Sequence, residues 1–141
     1  MIISWLNTSM TTKRNTRIYS DFDLNFLPHP LTGDLQRKFD EESIKRAVKQ
    51  LVLLNSYEKP FHPEIAGRVR ELLFEPMGRG TAIGIESRIE FLIKQFEPRV
   101  ELKEVIAEPD YEGNQYEITI IYTVLNLLSS VEQKIFLQRV R

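Results

Sequence analysis

The sequence contains no cysteine, which excludes disulfides, thiol catalysis and cysteine-ligated metal and is compatible with an intracellular site of synthesis. Histidine is scarce. His29 and His62 are the two present; both lie beside prolines and form no H-x-x-x-H or H-x-x-H pair, so no zinc ligand set is recognisable and no metal or cofactor is expected. Long hydrophobic runs are also missing. No stretch approaches the about 20 apolar residues needed to span a bilayer, and the opening Met1-Ile2-Ile3-Ser4-Trp5-Leu6 has no basic leader and is shorter than the apolar segment of a signal peptide. Neither sign of charge is in excess: 19 Lys and Arg against 20 Asp and Glu give a formal net charge of -1. That total favours neither nucleic acid nor an anionic membrane as a partner. Lys13, Arg14 and Arg17 are the nearest thing to a basic patch and read as a solvated arm. The G-x-S-x-G elbow is absent. Gly78, Gly80 and Gly84 are spaced G-x-G-x-x-x-G, one residue too long for a dinucleotide fingerprint.

What the chain does have is an ordinary globular composition, 42% hydrophobic and 28% charged over 141 residues, enough for one soluble, unsecreted domain with its own core. The best-defined stretch runs from Thr81 to Arg99. Ile85, Ile89, Leu92, Ile93 and Phe96 recur at helical spacing on one face, with Glu86, Arg88, Glu90, Lys94 and Gln95 on the other. Pro98 cannot continue this helix and biases Glu97 away from the α region. The helix therefore ends at or just before Glu97, and Thr81 is its expected N-cap.

Upstream, residues 1–16 read as an N-terminal arm and residues 17–141 as one domain. Arg17 to Leu35 is expected to be an irregular lead-in with short strand pieces, anchored by Tyr19, Phe22, Phe26 and Leu27. A short strand is expected over Leu35 to Phe39. Asp40 is the expected N-cap of a helix from Glu41 to Leu54 carrying Ile44, Val48, Leu51 and Val52 inward. Pro60-Phe61-His62-Pro63 is a stiff turn, and Ile65 to Phe74 a candidate short helix.

The last third changes period from 3.6 to 2. Val100 and Leu102, continued by Ile106, begin a strand; Tyr116, Ile118, Ile120, Tyr122 and Val124 line one side of a second; Val131, Gln133, Ile135 and Leu137 line a third. The expected fold class is α+β, with about three helices packed on one face of a small antiparallel three-stranded meander. The middle strand is expected to be the one around Tyr116.

For catalysis, Glu64, Glu75, Glu97 and Asp110 are the acids a glycoside hydrolase would draw on. None sits in the apolar setting that raises a carboxyl pKa, so no catalytic residue is assigned. Glu97 and Arg99 flank a proline-fixed corner. The plainer reading of that pair is a helix-end surface ion pair worth at most about 1 kcal/mol.

Taken together, Ile18-Tyr19-Ser20-Asp21-Phe22-Asp23, Pro60-Phe61-His62-Pro63-Glu64 with Gly67, Leu73-Phe74-Glu75, and Phe96-Glu97-Pro98-Arg99-Val100 resemble the baseplate wedge, or sheath initiator, family of contractile-tailed bacteriophages. The relatives of that family include TssE of type VI secretion and the anti-adaptor IraD. The likeness spans about Arg17 to Leu137. His62 stands where the family usually carries Asp, and Ile65 where it carries an aromatic. The resemblance implies a non-enzymatic virion protein of a tail baseplate, assembled in the host cytoplasm in several copies, six by the family's symmetry. It implies that Glu97, Pro98 and Arg99, with Phe61, Pro63 and Glu64, meet baseplate wedge subunits. It implies that the sheet seeds the tail sheath protein by strand addition, with tail tube or hub proteins as further partners, and neither nucleic acid nor membrane. A peptidoglycan hydrolase of the tail and a cytoplasmic anti-adaptor-like module are the rival readings.

Overall fold

The computed structural model describes residues 18–65 and 67–139. The arm of residues 1–16, with Lys13 and Arg14, and Arg17 after it lie outside them. In chain order the elements are β1 (Ser20–Phe22), β2 (Arg37–Phe39), α1 (Asp40–Leu53), α2 (Val69–Leu72), α3 (Arg79–Phe96), β3 (Val100–Asp110), β4 (Gln115–Val124) and β5 (Ser129–Gln138). The last three form the expected antiparallel meander with β4 in the middle. β1 and β2 pair as a separate two-stranded ribbon.

The core lies between the helices and one face of the meander. Every second residue of β4, from Tyr116 to Val124, is buried, as the period of a strand requires. Val131, Ile135 and Leu137 of β5 face the same way. From the helical side Ile44, Val48 and Val52 of α1 and Ala82, Ile85, Ile89, Leu92 and Ile93 of α3 fill the space between. Each fully buried Ile, Leu or Val contributes about 1.5–3 kcal/mol, so this shared stripe is the main stabilising term. One polar relay crosses it: Tyr122 Oη donates to Gln133 Oε1 at 3.0 Å, and Gln133 Nε2 donates to the carbonyl of Lys45 at 2.9 Å, tying β4 and β5 to α1.

In several places the local structure departs from the sequence reading. Asp40 is the first residue of α1 rather than its cap; with φ at +49° it turns its carboxylate back to accept the N–H groups of Ile18 and Tyr19 at 2.8 and 3.1 Å. It therefore fastens the lead-in to the helix start. Thr81 does not cap α3, which begins at Arg79 behind Gly78; its hydroxyl donates to the carbonyl of Pro76 at 2.8 Å and pins the first turn to the preceding loop. The expected helix from Ile65 to Phe74 shrinks to the single turn of α2. Gly67 accounts for this, since a Cβ there would lie 2.7 Å from Leu92 Cδ1, and the segment before α2 must run close against α3 rather than coil.

In β3 the register shifts between Leu102 and Glu104, so Lys103 is an extra residue. Beyond this bulge the parity changes. Val105 and Ala107 pair with Ile120 and Ile118 on the core face, and Ile106 moves to the other face beside Thr119. In the lead-in, Tyr19 packs on the core, but Phe22, Phe26 and Leu27 are 51%, 66% and 55% exposed, so they do not anchor it. Asp23 does. Its buried carboxylate meets Arg46 of α1 and accepts the N–H of Asn25.

Candidate functional site

The corner between α3 and β3 is built by the proline. Glu97 still donates its N–H to Ile93 O at 3.0 Å, closing the last helical turn, but its φ and ψ of -125° and 76° have left the helix. Three residues after Glu97, Val100 starts β3, and the carbonyl of Arg99 accepts the N–H of Leu125 at 3.1 Å, so the β4–β5 turn is tied to the same corner.

The side chains close on each other. Arg99 donates from Nε to Glu97 Oε1 and from Nη2 to Glu97 Oε2, both at 2.6 Å, a two-pronged pairing that fixes the planes of both groups. Glu97 is only 6% exposed and Arg99 33%. This is no surface ion pair. The hydrogen bonds it donates to Glu97 hold the Arg99 guanidinium above its usual value against the pull of burial, and the charges of Glu97 and Asp21 add to it. The guanidinium carbon stands 5.6 Å from the centroid of the Tyr19 ring, in cation–π range. Asn126 Nδ2 in turn donates to Tyr19 Oη. Carboxylate, ring and turn thus hold Arg99 from three sides, and among the described residues Nη1 has no hydrogen-bond partner.

Beside this pair lies a groove of about 250 Å³, lined by Ala47, Gln50, Leu51 and Leu54 of α1 and its C-cap, by Lys59 and Ile65, and by Phe96 and Glu97. The loop that carries the Phe61 and Glu64 candidates therefore shares a depression with the corner, through Lys59 and Ile65. Phe61, Pro63 and Glu64 themselves do not line it. Phe61 is 97% exposed on a φ of +65°. Pro63 and Glu64 border a different depression with Tyr57, Arg68 and Glu71. Glu64 Oε1 lies 2.9 Å from His62 Nδ1.

A family model described as baseplate wedge protein gp25 matches residues 39–127, more than half of the chain. The chain belongs to the baseplate wedge family. Baseplate wedge protein gp25 of Enterobacteria phage T4 is 27% identical over 117 residues, covering 83% of this chain and 88% of that protein. Three solved structures share the fold. A protein of Geobacter sulfurreducens described as a tail lysozyme superposes with a TM-score of 0.66 at 20% identity, over 72% of this chain and 92% of that one. A chain of the anti-feeding prophage baseplate gives 0.61 at 20% identity, over 87% of each. A chain of the postcontracted pyocin R2 baseplate gives 0.53 at 14% identity, over 84% and 98%.

Among the wedge-family candidates the sequence named, the structure brings Glu97 and Arg99 into direct contact around Pro98 and leaves Phe61, Pro63 and Glu64 on a neighbouring loop. The four acids weighed for hydrolysis are differently occupied. Glu97 is locked to Arg99. The hydrogen bond from His62 holds Glu64 below the usual carboxylate range, and the N–H of Gly113, with Gln115 and Glu112, does the same for Asp110. Glu75 follows α2 in the loop to α3. Sequence reasoning named Tyr19 as an anchor and Leu51 as an inward residue of the first helix, but missed that Tyr19 and Asn126 back the corner and that Leu51 lines the groove beside it. Tyr19 carries the one visible signal, an aromatic inside the motif that opens the resemblance; its contact with Arg99 bridges eighty positions of chain and leaves no periodic trace.

Proposed function

We propose that this baseplate wedge protein is a non-enzymatic joint: the Glu97-Pro98-Arg99 corner docks on the core of the neighbouring wedge subunits, and the meander seeds the tail sheath. The observation that carries the reading is the buried, two-pronged Glu97–Arg99 pair. Such a pair is ordered before a partner arrives, so little side-chain entropy remains to be lost on docking. The free edge of the guanidinium offers planar donors to a carboxylate or to backbone carbonyls. The 250 Å³ groove beside it accepts apolar side chains of the same partner, and Phe61, Pro63 and Glu64 meet that partner from the neighbouring loop. Residues 17–141 act as one wedge domain and residues 1–16 as an arm.

For the sheath, the choice between the two edge strands falls on β5. On β3 the N–H of Ala107 is already accepted by Glu86 Oε1 of α3 at 2.9 Å. Along β5, by contrast, Phe136, Leu137 and Gln138 border an open groove of about 680 Å³ whose far wall is Leu73 and Phe74. An incoming strand there gains main-chain hydrogen bonds and a pocket for its side chains. The anti-feeding prophage baseplate is six-fold symmetrised, and the same ring of six is the arrangement we assign here, assembled in the host cytoplasm with tube or hub proteins inside the ring.

The likeness to a tail lysozyme favours one rival, cell-wall hydrolysis. A general acid for that chemistry needs a raised pKa, and both Glu64 and Asp110 are held low. The test is co-expression with the wedge subunits and sheath protein of the same particle, followed by pull-down and amide exchange. Binding of both, with new protection in β5 when sheath is present, is expected. Binding of neither, together with release of soluble fragments from purified cell walls, would replace the joint with an enzyme.

A further inference from the structure

The helices take one face of the meander, and the other face has an unusual make-up. Since Tyr116, Ile118, Ile120, Tyr122 and Val124 turn into the core, Glu117, Thr119, Ile121 and Thr123 stand on the opposite face of β4. The register sets their neighbours: Glu104 and Glu132 flank Ile121, Ile106 and Lys134 flank Thr119, and Glu108 and Phe136 flank Glu117. Glu101 lies one step further, beside Thr123. The result is a belt of Ile106, Ile121 and Phe136, the last 57% exposed, bordered on both sides by carboxylates.

Among the described residues the charges on this face are not balanced. Glu108 is directly opposite Glu117, and like charges so placed destabilise a sheet. Lys134 answers one of them, with Nζ 2.6 Å from Glu117 Oε1. That hydrogen bond, then the charges of Glu117, Glu132 and Glu108, hold the lysine's proton more firmly than usual. The fold's own lysine thus demonstrates what the face accepts: an alkyl stem across the strands and a cation among the glutamates. The carboxylates of Glu101, Glu104, Glu108 and Glu132 have no hydrogen bond or ion pair among the described residues.

We propose that this helix-free face is a third docking surface, occupied in the assembled particle by a Lys- or Arg-bearing segment of another protein. The stems of such residues cover Ile106, Ile121 and Phe136, and their charged ends meet the glutamates that Lys134 leaves unpaired. A nucleic acid or an acidic segment is repelled. The surface is distinct from the Glu97–Arg99 corner and adjoins the β5 groove at Phe136, and it depends on the baseplate reading only for the particle in which it is tested.

Carboxylate labelling with a carbodiimide and glycine ethyl ester, read by mass spectrometry, tests it on free protein and on intact particles. Glu104, Glu108 and Glu132 are expected to label when free and to lose that labelling in the particle. The E104Q/E108Q/E132Q variant is expected to melt no lower than wild type, because repulsion has been removed. It should nevertheless be washed from particles at lower salt as NaCl is raised from about 0.15 M to about 1 M, where the Debye length falls from about 8 to 3 Å. Equal labelling in both states overturns the proposal, as does a protected face whose neutralised variant is retained like wild type. Absence of the chain from particles would overturn the baseplate reading and this surface with it, whereas a chain present with an open face overturns this surface alone.

Discussion

Glu97 and Arg99 together set the energetics of the corner. Removing the guanidinium leaves a buried carboxylate without its cation, so Arg99→Ala is expected to lower stability by about 2 kcal/mol in urea unfolding. Against a total of about 5–15 kcal/mol the domain stays folded. Adding Glu97→Gln to that variant should recover part of the loss, since a neutral amide is cheaper to bury than a charge; a further loss instead would mean that Glu97 has other partners. Asp23 and Asp110 make a second residue-level expectation. The N–H of Asn25 and then Arg46 hold Asp23 low, and the N–H of Gly113 and then Gln115 hold Asp110 low. Their folded values lie below the unfolded value of about 3.9, so the stability they contribute is complete above that pH and is lost as pH falls through the folded values. Urea midpoints should therefore fall below about pH 4, and Asp23→Asn should fall less steeply. At this scale the sequence revealed which residues flank the corner but not that they are buried together. Glu97 shares a groove with α1 residues and with Lys59 and Ile65, a long-range neighbourhood that no local pattern announces.

Among the elements, long periodic ones were legible and short ones were not. α3 and the three long strands follow from spacing alone, because each buries one face against the same core. α2 was overestimated because propensity sees Ile65 to Phe74 as a helix and cannot see Leu92 pressing on Gly67. Gly67→Ala is expected to cost about 1–3 kcal/mol by overpacking, read as a lower denaturation midpoint with an unchanged slope. The Ile106 assignment failed at the bulge, since strict alternation cannot place an extra residue. Deleting Lys103 should regularise β3 and leave Val105 and Ala107 inward, preserving the fold by circular dichroism. Deleting Ile106 turns Ala107 outward and should be far more damaging. The difference between the two sheet edges was equally hidden, because Glu86 lies on the polar face of α3 by spacing and accepts the Ala107 N–H of β3 in the fold.

On the scale of the whole molecule, the chain is a wedge protein that offers different surfaces in different directions. The corner and groove lie where α3 meets β3, the groove we propose for an incoming strand borders β5, and the glutamate-bordered face looks away from the helices. Family membership was legible in the order of the motifs, and the residue-level machinery behind it required the fold. The central claim is that the Glu97-Pro98-Arg99 corner meets the wedge core. The direct measurement is the equilibrium affinity of the purified chain for the wedge subcomplex, with wild type beside Arg99→Ala and beside Val48→Ala. Val48 is fully buried in the core and does not line the groove beside the corner, and its truncation costs about 1–3 kcal/mol of stability. Loss of binding by Arg99→Ala with wild-type affinity in Val48→Ala is the predicted result; wild-type affinity in Arg99→Ala, or equal loss in both variants, would contradict it.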